Sequence, residues 1–182
     1  MPPSRFPRAW AQLAARLRVP GGFLLAAAFA WFSAPTRDSL AAGVPISIVG
    51  LLLRGWAAGH LAKNQSLATT GPYAYTRNPL YLGTLVVAAG LVIASRSWGL
   101  GVLFGTVFLL VYLPVIELEE QHLRELFPQY ADYMARVPVL LPRWKGGNDR
   151  APFRLSLYLK NQEYQAWAGF LAGLALLVWK AR

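Results

Sequence analysis

The chain has 182 residues, 55% of them hydrophobic and only 14% charged, which is typical of a membrane protein and unlike a soluble globular domain. The net charge of +10 does not indicate nucleic-acid binding, because the basic residues gather near the ends of apolar runs, where membrane topology and anionic lipid account for them. The absence of cysteine excludes disulfides, thiolate catalysis and Cys-ligated zinc by this chain, and no metal site is predicted.

Before the first apolar run, residues 1–20 form an amphipathic segment. Its apolar residues recur at helical spacing and its basic residues fall on the other side, with Phe6, Trp10, Leu13 and Leu17 opposite Arg5, Arg8 and Arg16. This pattern predicts an interfacial helix lying in the headgroup layer. We interpret the helix as an anchor, and the alternative is a lid over a functional site.

Five apolar runs then follow, each near the length that a helix needs to cross hydrocarbon. They cover residues 21–34, 40–58, 80–95, 98–116 and 166–179. The sequence therefore predicts an all-α integral membrane protein with about five transmembrane helices and one domain over residues 1–182. Lys and Arg near the span ends place the N-terminus, the 59–79 loop and the 117–163 region on the cytoplasmic side.

Arg54 lies within the second run, where a charge is expensive unless it faces protein, water or a ligand headgroup. Its position near the cytoplasmic end of the run leaves two interpretations open. In the first, the long side chain extends to the interface. In the second, the guanidinium binds an anionic group of a substrate.

A polar block, TGPYAYTRNPLYLG, spans residues 70–83 at the start of the third run. Asn78 is a good helix N-cap residue, and Pro79 suits the first helical position because its missing N–H is not needed there. The tyrosines of the block suit an interfacial aromatic belt, and Arg77 suits an orientation charge. Each residue taken singly thus has a structural explanation.

The fourth run is predicted to continue beyond the membrane as a polar helix with Glu117, Glu119, Glu120, His122 and Arg124. Glu120 and Arg124 are spaced to form an i,i+4 pair. Three acidic residues at a membrane boundary require a cation nearby, and a ligand ammonium or sulfonium would supply it. His60 and His122 are the only histidines. Both are predicted near the same boundary, where they suit proton removal or are ordinary surface.

Two blocks together carry a resemblance to a known superfamily. The order is Gly71-Pro72-Tyr73, Arg77-Asn78-Pro79-Leu80-Tyr81-Leu82-Gly83, Glu119-Glu120 with Leu123, Phe127, Tyr130 and Tyr133, then Val137-Pro138 and Leu141-Pro142. Over residues 50–143 it resembles the isoprenylcysteine carboxyl methyltransferase and phospholipid methyltransferase superfamily. Many members carry histidine where this chain has Asn78, and the phosphatidylethanolamine methyltransferase branch resembles this chain in its Asn-Pro. Phe127-Pro128 stands where Phe-Gly is common.

The resemblance implies S-adenosylmethionine as the methyl donor, held in a cytoplasmic pocket between the third and fourth spans and the segment after them. The implied cofactor-binding residues are Tyr73, Arg77, Asn78, Tyr81, Gly83, Glu119 and Glu120. The candidate catalytic residues are Arg77, His122 and His60, and the candidate substrate-binding residues are Arg54, Tyr130 and Tyr133. The chain has no Gly-rich nucleotide fingerprint, which argues against a Rossmann methyltransferase fold.

The resulting hypothesis is methyl transfer to a lipophilic acceptor from the bilayer, either a phospholipid amine or an isoprenoid-type carboxylate. Membrane sterol reductases also resemble the chain in their Pro-x-Tyr-x-Gly and Tyr-x-x-Tyr, Val-Pro patterns, so an NADPH-dependent reductase is one alternative. A non-catalytic membrane scaffold is another. We expect a multi-pass protein of a bacterial inner membrane, with its site facing the cytoplasm, that contacts membrane lipids and acts as a monomer or a homodimer.

Residues 144–182 follow the resembling core, and they are predicted to form a turn-rich linker, an interfacial segment and the last transmembrane helix. The interfacial segment is expected to be a helix, because a strand beside a membrane would leave an open edge. Small residues four apart allow helices to approach closely, and the chain has them at Gly101 with Gly105 and at Gly169 with Gly173. We expect these glycines to pack within one subunit.

Overall fold

The computed structural model describes residues 6–143 and 151–182. All regular elements of this part of the chain are helical. In chain order they are α1 (Arg8–Phe32), α2 (Arg37–Ala58), a 3-10 turn (Gly71–Ala74), α3 (Pro79–Ser95), α4 (Trp98–Val107), a π-helical segment (Phe108–Tyr112), α5 (Leu113–Leu126), α6 (Tyr130–Arg136), α7 (Leu155–Lys160) and α8 (Tyr164–Lys180). The all-α prediction is confirmed, and most of the predicted linker lies outside the described residues.

All five predicted apolar runs are helical. Among the described residues, three helices are long and apolar enough to cross a membrane, namely α1, α2 and the continuous helix Trp98–Leu126. The helix α3 is apolar but shorter, with 17 residues, and α8 also has 17. By length and composition, the structure therefore supports three of the five predicted spans.

No break in the helix marks the predicted boundary between the interfacial segment and the first span. Helix α1 runs unbroken from Arg8 to Phe32 with Pro20 inside it. A continuous helix keeps the other backbone groups hydrogen-bonded in apolar surroundings, which outweighs the one donor that proline removes. Ala11 and Ala14 of α1 are buried where the helix packs on α4 and α5.

The helix that continues from α4 into α5 contains a π-helical segment directly before Pro114. Proline has no N–H to donate to the Leu110 carbonyl four residues earlier, and helices adjust locally at such defects. The Trp10 indole on α1 donates to this carbonyl, with an Nε1–O distance of 3.1 Å. A side chain of α1 thus satisfies the acceptor that proline leaves without its usual partner.

Replacing Trp10 by Phe removes this donor while keeping an aromatic ring. We expect a loss of about 1 kcal/mol in the free energy of unfolding, the usual net value of one hydrogen bond. Thermal unfolding in detergent measures it. Trp98→Phe is the matched control, because Trp98 is 86% exposed. Equal shifts in the two variants would show that the bond to Leu110 adds nothing.

Helices α2 and α3 are antiparallel and approach each other at glycine. A β-carbon on Gly50 would lie 2.6 Å from Val87 N and 2.7 Å from Gly83 O. The backbone of the partner helix would crowd a β-carbon on Gly43 or Gly90 in the same way. Such contacts let the two backbones pack directly on each other.

The glycines chosen from the sequence behave differently. A β-carbon on Gly105 or Gly169 would meet nothing within 4 Å. One on Gly101 would contact Val92, and one on Gly173 would only reach Phe29 at 4.0 Å. The predicted spacing therefore identified two peripheral contacts and missed the central α2–α3 contact, whose glycines are seven residues apart on each helix.

The substitution Gly50→Ala is expected to destabilise the fold by about 1–3 kcal/mol, because an added methyl group here overlaps backbone atoms that have no room to move. The substitution Gly105→Ala should instead stabilise by up to about 1 kcal/mol through helix propensity. Unfolding midpoints in detergent compare the two. Similar midpoints would contradict the close packing of α2 on α3.

The C-terminal helix α8 is attached at both ends. Asn161, just before it, donates from Nδ2 to Ala58 O and Leu61 O, both at 2.9 Å. Lys180 at its other end donates from Nζ to Ala30 O at 2.9 Å. The C-terminal end of α2 and the N-terminal ends of α3 and α8 therefore lie at the same end of the helices.

Candidate functional site

A cavity of about 930 Å³ lies at this end, between α1, the loop before α3, α3, α5 and α6. This volume is at the upper end of the range for small-molecule sites. Eight of the predicted site residues line the cavity: Arg54, Tyr73, Arg77, Tyr81, Glu119, His122, Tyr130 and Tyr133. The predicted residues Asn78, Gly83, Glu120 and His60 are not part of its lining.

Hydrogen bonds hold the two sequence blocks together although they lie about sixty residues apart. Three of these bonds join the loop before α3 to the segment after α6: Arg77 N to Pro138 O at 2.9 Å, Thr76 Oγ1 to Val139 O at 3.1 Å and Arg143 N to Tyr75 O at 2.9 Å. In addition, the Tyr133 hydroxyl donates to Tyr73 O at 2.7 Å. The Val-Pro segment therefore positions the loop that carries Tyr73 and Arg77.

Arg77 and Glu120 form a buried ion pair next to the cavity. The distance from Arg77 Nε to Glu120 Oε1 is 3.1 Å, and the two side chains are only 7% and 10% exposed. The approach lacks the alignment of a hydrogen bond, so Nε has no aligned acceptor among the described residues. Glu120 lies behind Arg77, which lines the cavity. Glu120 thus orients Arg77.

The side chains of Asn78 and Glu120 bond across the site and not to their neighbours in sequence. Asn78 is the N-cap residue of α3 and Pro79 follows it at the start of the helix, as predicted, but the Asn78 side chain makes no cap hydrogen bond. Its amide donates instead to Glu120 Oε1 at 3.3 Å and to Val139 O at 3.1 Å. Glu120 does not pair with Arg124, whose Nη2 lies 3.0 Å from Met134 Sδ. The tertiary contacts across the site outweigh both local pairings.

Glu119, the neighbour of Glu120, faces the cavity and meets a residue that sequence reasoning missed. Nη1 of Arg18 lies 3.4 Å from Glu119 Oε1 and 3.4 Å from the Tyr81 hydroxyl. The sequence shows Arg18 as one of several basic residues before the first apolar run, with nothing to distinguish it. Because both Glu119 and Glu120 have arginine partners, these acids do not require a ligand cation.

Burial raises the pKa of Tyr73, Tyr130 and Tyr133 above the usual tyrosine range. The three hydroxyls are protonated at neutral pH, as ordinary tyrosines are, and so can donate hydrogen bonds. Tyr130 is 1% exposed, and its hydroxyl lies near the Glu120 carboxylate but forms no aligned hydrogen bond with it or with any other described residue. A buried polar group of this kind is expected to bind water or a ligand.

The two histidines have different surroundings. His122 is exposed and lines the cavity. His60 lies 3.2 Å from Thr70 Oγ1 through Nδ1, and its ring fills the space beside Gly71, whose φ is +59°. Burial and the nearby Arg154 lower the pKa of His60, so the ring is neutral at physiological pH. His60 therefore packs against the loop behind the cavity wall.

Arg54 does not extend to the interface, because it is held inside the protein. Its Nε lies 2.6 Å from Glu163 Oε1 and its Nη2 lies 3.1 Å from Glu163 Oε2. Nη1 donates to Leu80 O at 3.3 Å and to the Thr84 hydroxyl. A β-carbon on Gly83 would lie 2.5 Å from Arg54 Cγ. Gly83 thus makes room for Arg54, and Glu163 was absent from the predicted site.

Adjacent glutamates allow the buried and exposed ion pairs to be compared. Glu120→Gln should lower the unfolding temperature clearly, because it leaves the buried Arg77 without a counter-charge, and breaking a buried pair costs about 3–5 kcal/mol. Glu119→Gln should change the free energy of unfolding by less than about 1 kcal/mol, because the side chains of Glu119 and its partner Arg18 are both nearly half exposed. Thermal unfolding in detergent tests this order, and the reverse order would contradict the assignment of the partners.

Three or more His, Cys, Asp or Glu side chains that could jointly hold a metal ion are not found in residues 6–143 and 151–182.

Comparison with known proteins gives two relatives, both bacterial. The nickel-cobalt-cadmium resistance protein NccN of Alcaligenes xylosoxydans xylosoxydans is 34% identical over 152 residues, which cover 82% of this chain and 65% of that protein. The cobalt-zinc-cadmium resistance protein CzcN of Cupriavidus metallidurans is 33% identical over 140 residues, covering 75% and 62%. The chain thus spans just under two thirds of the length of these relatives. No solved structure matches it.

Residues 44–130 match the phospholipid methyltransferase family. The matching segment contains Arg54, the whole 70–83 block and the pair Glu119 and Glu120 of α5, so it includes much of the cavity wall. The prediction of the superfamily is confirmed. This match, to a family within the isoprenylcysteine and phospholipid methyltransferase superfamily, supports a methyltransferase.

Proposed function

We propose that this chain is an integral membrane methyltransferase that uses S-adenosylmethionine to methylate a lipophilic acceptor. One observation carries the proposal: the two family blocks meet around a cavity of about 930 Å³ at the end of the apolar helices. A guanidinium, a carboxylate and several tyrosines share its wall. The volume is sufficient for a nucleoside cofactor together with the reacting part of an acceptor.

The side chains fit the polar groups of such a cofactor. The Arg77 guanidinium and the Tyr130 hydroxyl are largely buried donors at the cavity wall, so they suit the cofactor's carboxylate. The carboxylate of Glu119 suits ribose hydroxyls or the ammonium group. The rings of Tyr73 and Tyr81 suit the adenine or the sulfonium. Every one of these groups lines the cavity, which supports the assignment.

The cofactor supplies a methyl group already activated by positively charged sulfur, and the acceptor displaces it in line. The chain therefore has to align the two reactants and exclude water. The ion pair of Arg77 with Glu120 fixes one anchoring group before binding, so little reorganisation is needed on reaction. In this proposal Asn78 and Glu120 act from behind the wall by holding Arg77.

The acceptor decides whether a base is needed. A carboxylate attacks without losing a proton, whereas an ammonium group must first be deprotonated. His122 is the histidine that lines the cavity, so it is the candidate to take that proton. Leu80, Leu118 and Leu123 supply apolar wall on α3 and α5. These helices adjoin the membrane, and their position suits an acceptor that enters from the bilayer.

The side of the membrane is also part of the proposal. Most Lys and Arg residues belong to the segments at the cavity end, and the other end has Arg37, Arg96, Lys180 and Arg182. The excess of basic residues on cytoplasmic segments then places the cavity toward the cytoplasm. With two bacterial relatives, a bacterial inner membrane is the proposed location.

Calorimetric titration of the detergent-purified chain with S-adenosylhomocysteine, and in parallel with NADPH, tests the cofactor. We expect saturable binding of the former alone. Tyr130→Phe should weaken this binding by about threefold to tenfold, the effect of one lost hydrogen bond. Tyr75→Phe is the matched control, because Tyr75 is 38% exposed and does not line the cavity.

Binding of NADPH alone would contradict the proposal and favour the reductase. Folded protein that binds neither compound would favour the scaffold. The wild type and Tyr130→Phe could also bind S-adenosylhomocysteine equally strongly. This result would still support a methyltransferase, but it would show that the Tyr130 hydroxyl does not contact the cofactor.

A further inference from the structure

The ion pair between Arg54 and Glu163 links the family segment to a helix outside it. Arg54 belongs to α2 and lies within the matched residues 44–130. Glu163 precedes α8, which follows that segment. The two side chains are 24% and 7% exposed, so the pair is largely shielded from water. The C-terminal part of the chain therefore contributes a charge to the interior beside the cavity.

The hydrogen bonds of Arg54 leave little of the guanidinium for anything else. An arginine has five N–H donors. Glu163 accepts from Nε and Nη2, and Leu80 O and the Thr84 hydroxyl accept from Nη1. One N–H on Nη2 remains. Because Arg54 also lines the cavity, this N–H is the donor that it has for a bound ligand.

The surroundings of Arg54 place this donor beside the proposed cofactor contacts. Leu80, Thr84 and Tyr73 line the same cavity, and both Arg54 and Glu163 lie near enough to Tyr73 to influence its hydroxyl. Gly83 leaves the space through which the Arg54 side chain passes. The arginine is thus held from three sides in one orientation, with a neutralising carboxylate behind it.

We propose that Glu163 is a positioning residue for methyl-donor binding. It holds Arg54 so that the remaining Nη2 N–H donates to an oxygen of the bound cofactor, and the segment that begins α8 is therefore part of the binding unit. Because Glu163 neutralises the charge of Arg54 and fixes its orientation, the arginine contributes one directed hydrogen bond and not a long-range attraction for anions. This role rests on the proposed function and assigns a site residue beyond the family segment.

Titration with S-adenosylhomocysteine tests the role in the full-length chain. Glu163→Gln should weaken binding by about tenfold, the effect of losing one charge-assisted hydrogen bond. Arg54→Lys is a milder variant that keeps the charge next to Glu163 but loses the guanidinium fork, and it should weaken binding to a similar extent. The combined variant should bind no more weakly than either one alone.

Two further variants separate positioning from attachment of the helix. Asn161→Ala removes both hydrogen bonds of Asn161 to the end of α2 without touching Arg54, so it should lower the unfolding temperature and leave the affinity unchanged. The exchange Arg54→Glu with Glu163→Arg keeps an ion pair at this place. It should retain stability yet bind S-adenosylhomocysteine weakly, because the cavity wall then presents a carboxylate.

Several results would overturn the inference. One is wild-type affinity in Glu163→Gln or in Arg54→Lys. Another is recovery of full affinity in the exchanged pair, and a third is an equal loss in Asn161→Ala. Each of these results would show that Glu163 only attaches α8 to α2 and does not position Arg54 for ligand binding. A wild-type chain that does not bind S-adenosylhomocysteine refutes the proposed function itself, so the two failures are distinguishable.

Discussion

The arrangement of this protein depends on the requirement that a charge in apolar surroundings be paired. Arg77 and Arg54 each lie where water has little access, and each meets one carboxylate from a different part of the chain. Removing one partner would leave a buried charge uncompensated, which is far more costly than losing an exposed pair. These two contacts therefore fix how α5 and the start of α8 lie against the α2–α3 pair.

A second constraint of the same kind is that backbone N–H and C=O groups in apolar surroundings need hydrogen-bond partners. Pro114 would leave a carbonyl of the long α4–α5 helix without its usual partner, and Trp10 on α1 supplies the missing donor. Asn161 in the C-terminal segment donates to Ala58 O at the end of α2 and to Leu61 O just beyond it. Polar side chains thus connect helices where the backbone pattern is interrupted, as the membrane environment demands.

The proposed site follows from these constraints. The loop before α3 and the segment after α6 have few regular hydrogen bonds of their own, so they satisfy each other's backbone groups. This pairing brings Tyr73 and Arg77 to the cavity beside Tyr130 and Tyr133. The residues that contact a ligand in this proposal are supported by others behind them, among which are Glu120 and Glu163. Rigid support of that kind is what alignment of two reactants requires.

The sequence by itself determined the helical class and the five apolar helices, because hydrophobic runs and their lengths are local properties. It also indicated the superfamily through two short motifs, and eight of its predicted site residues line the cavity. Only the tertiary structure decided that Glu120 pairs with Arg77 rather than Arg124, that Arg54 meets Glu163, and that Arg18 reaches Glu119. These partners are 43 to 109 residues apart in the chain. No local spacing specifies such pairs, since burial and the close approach of whole helices select them.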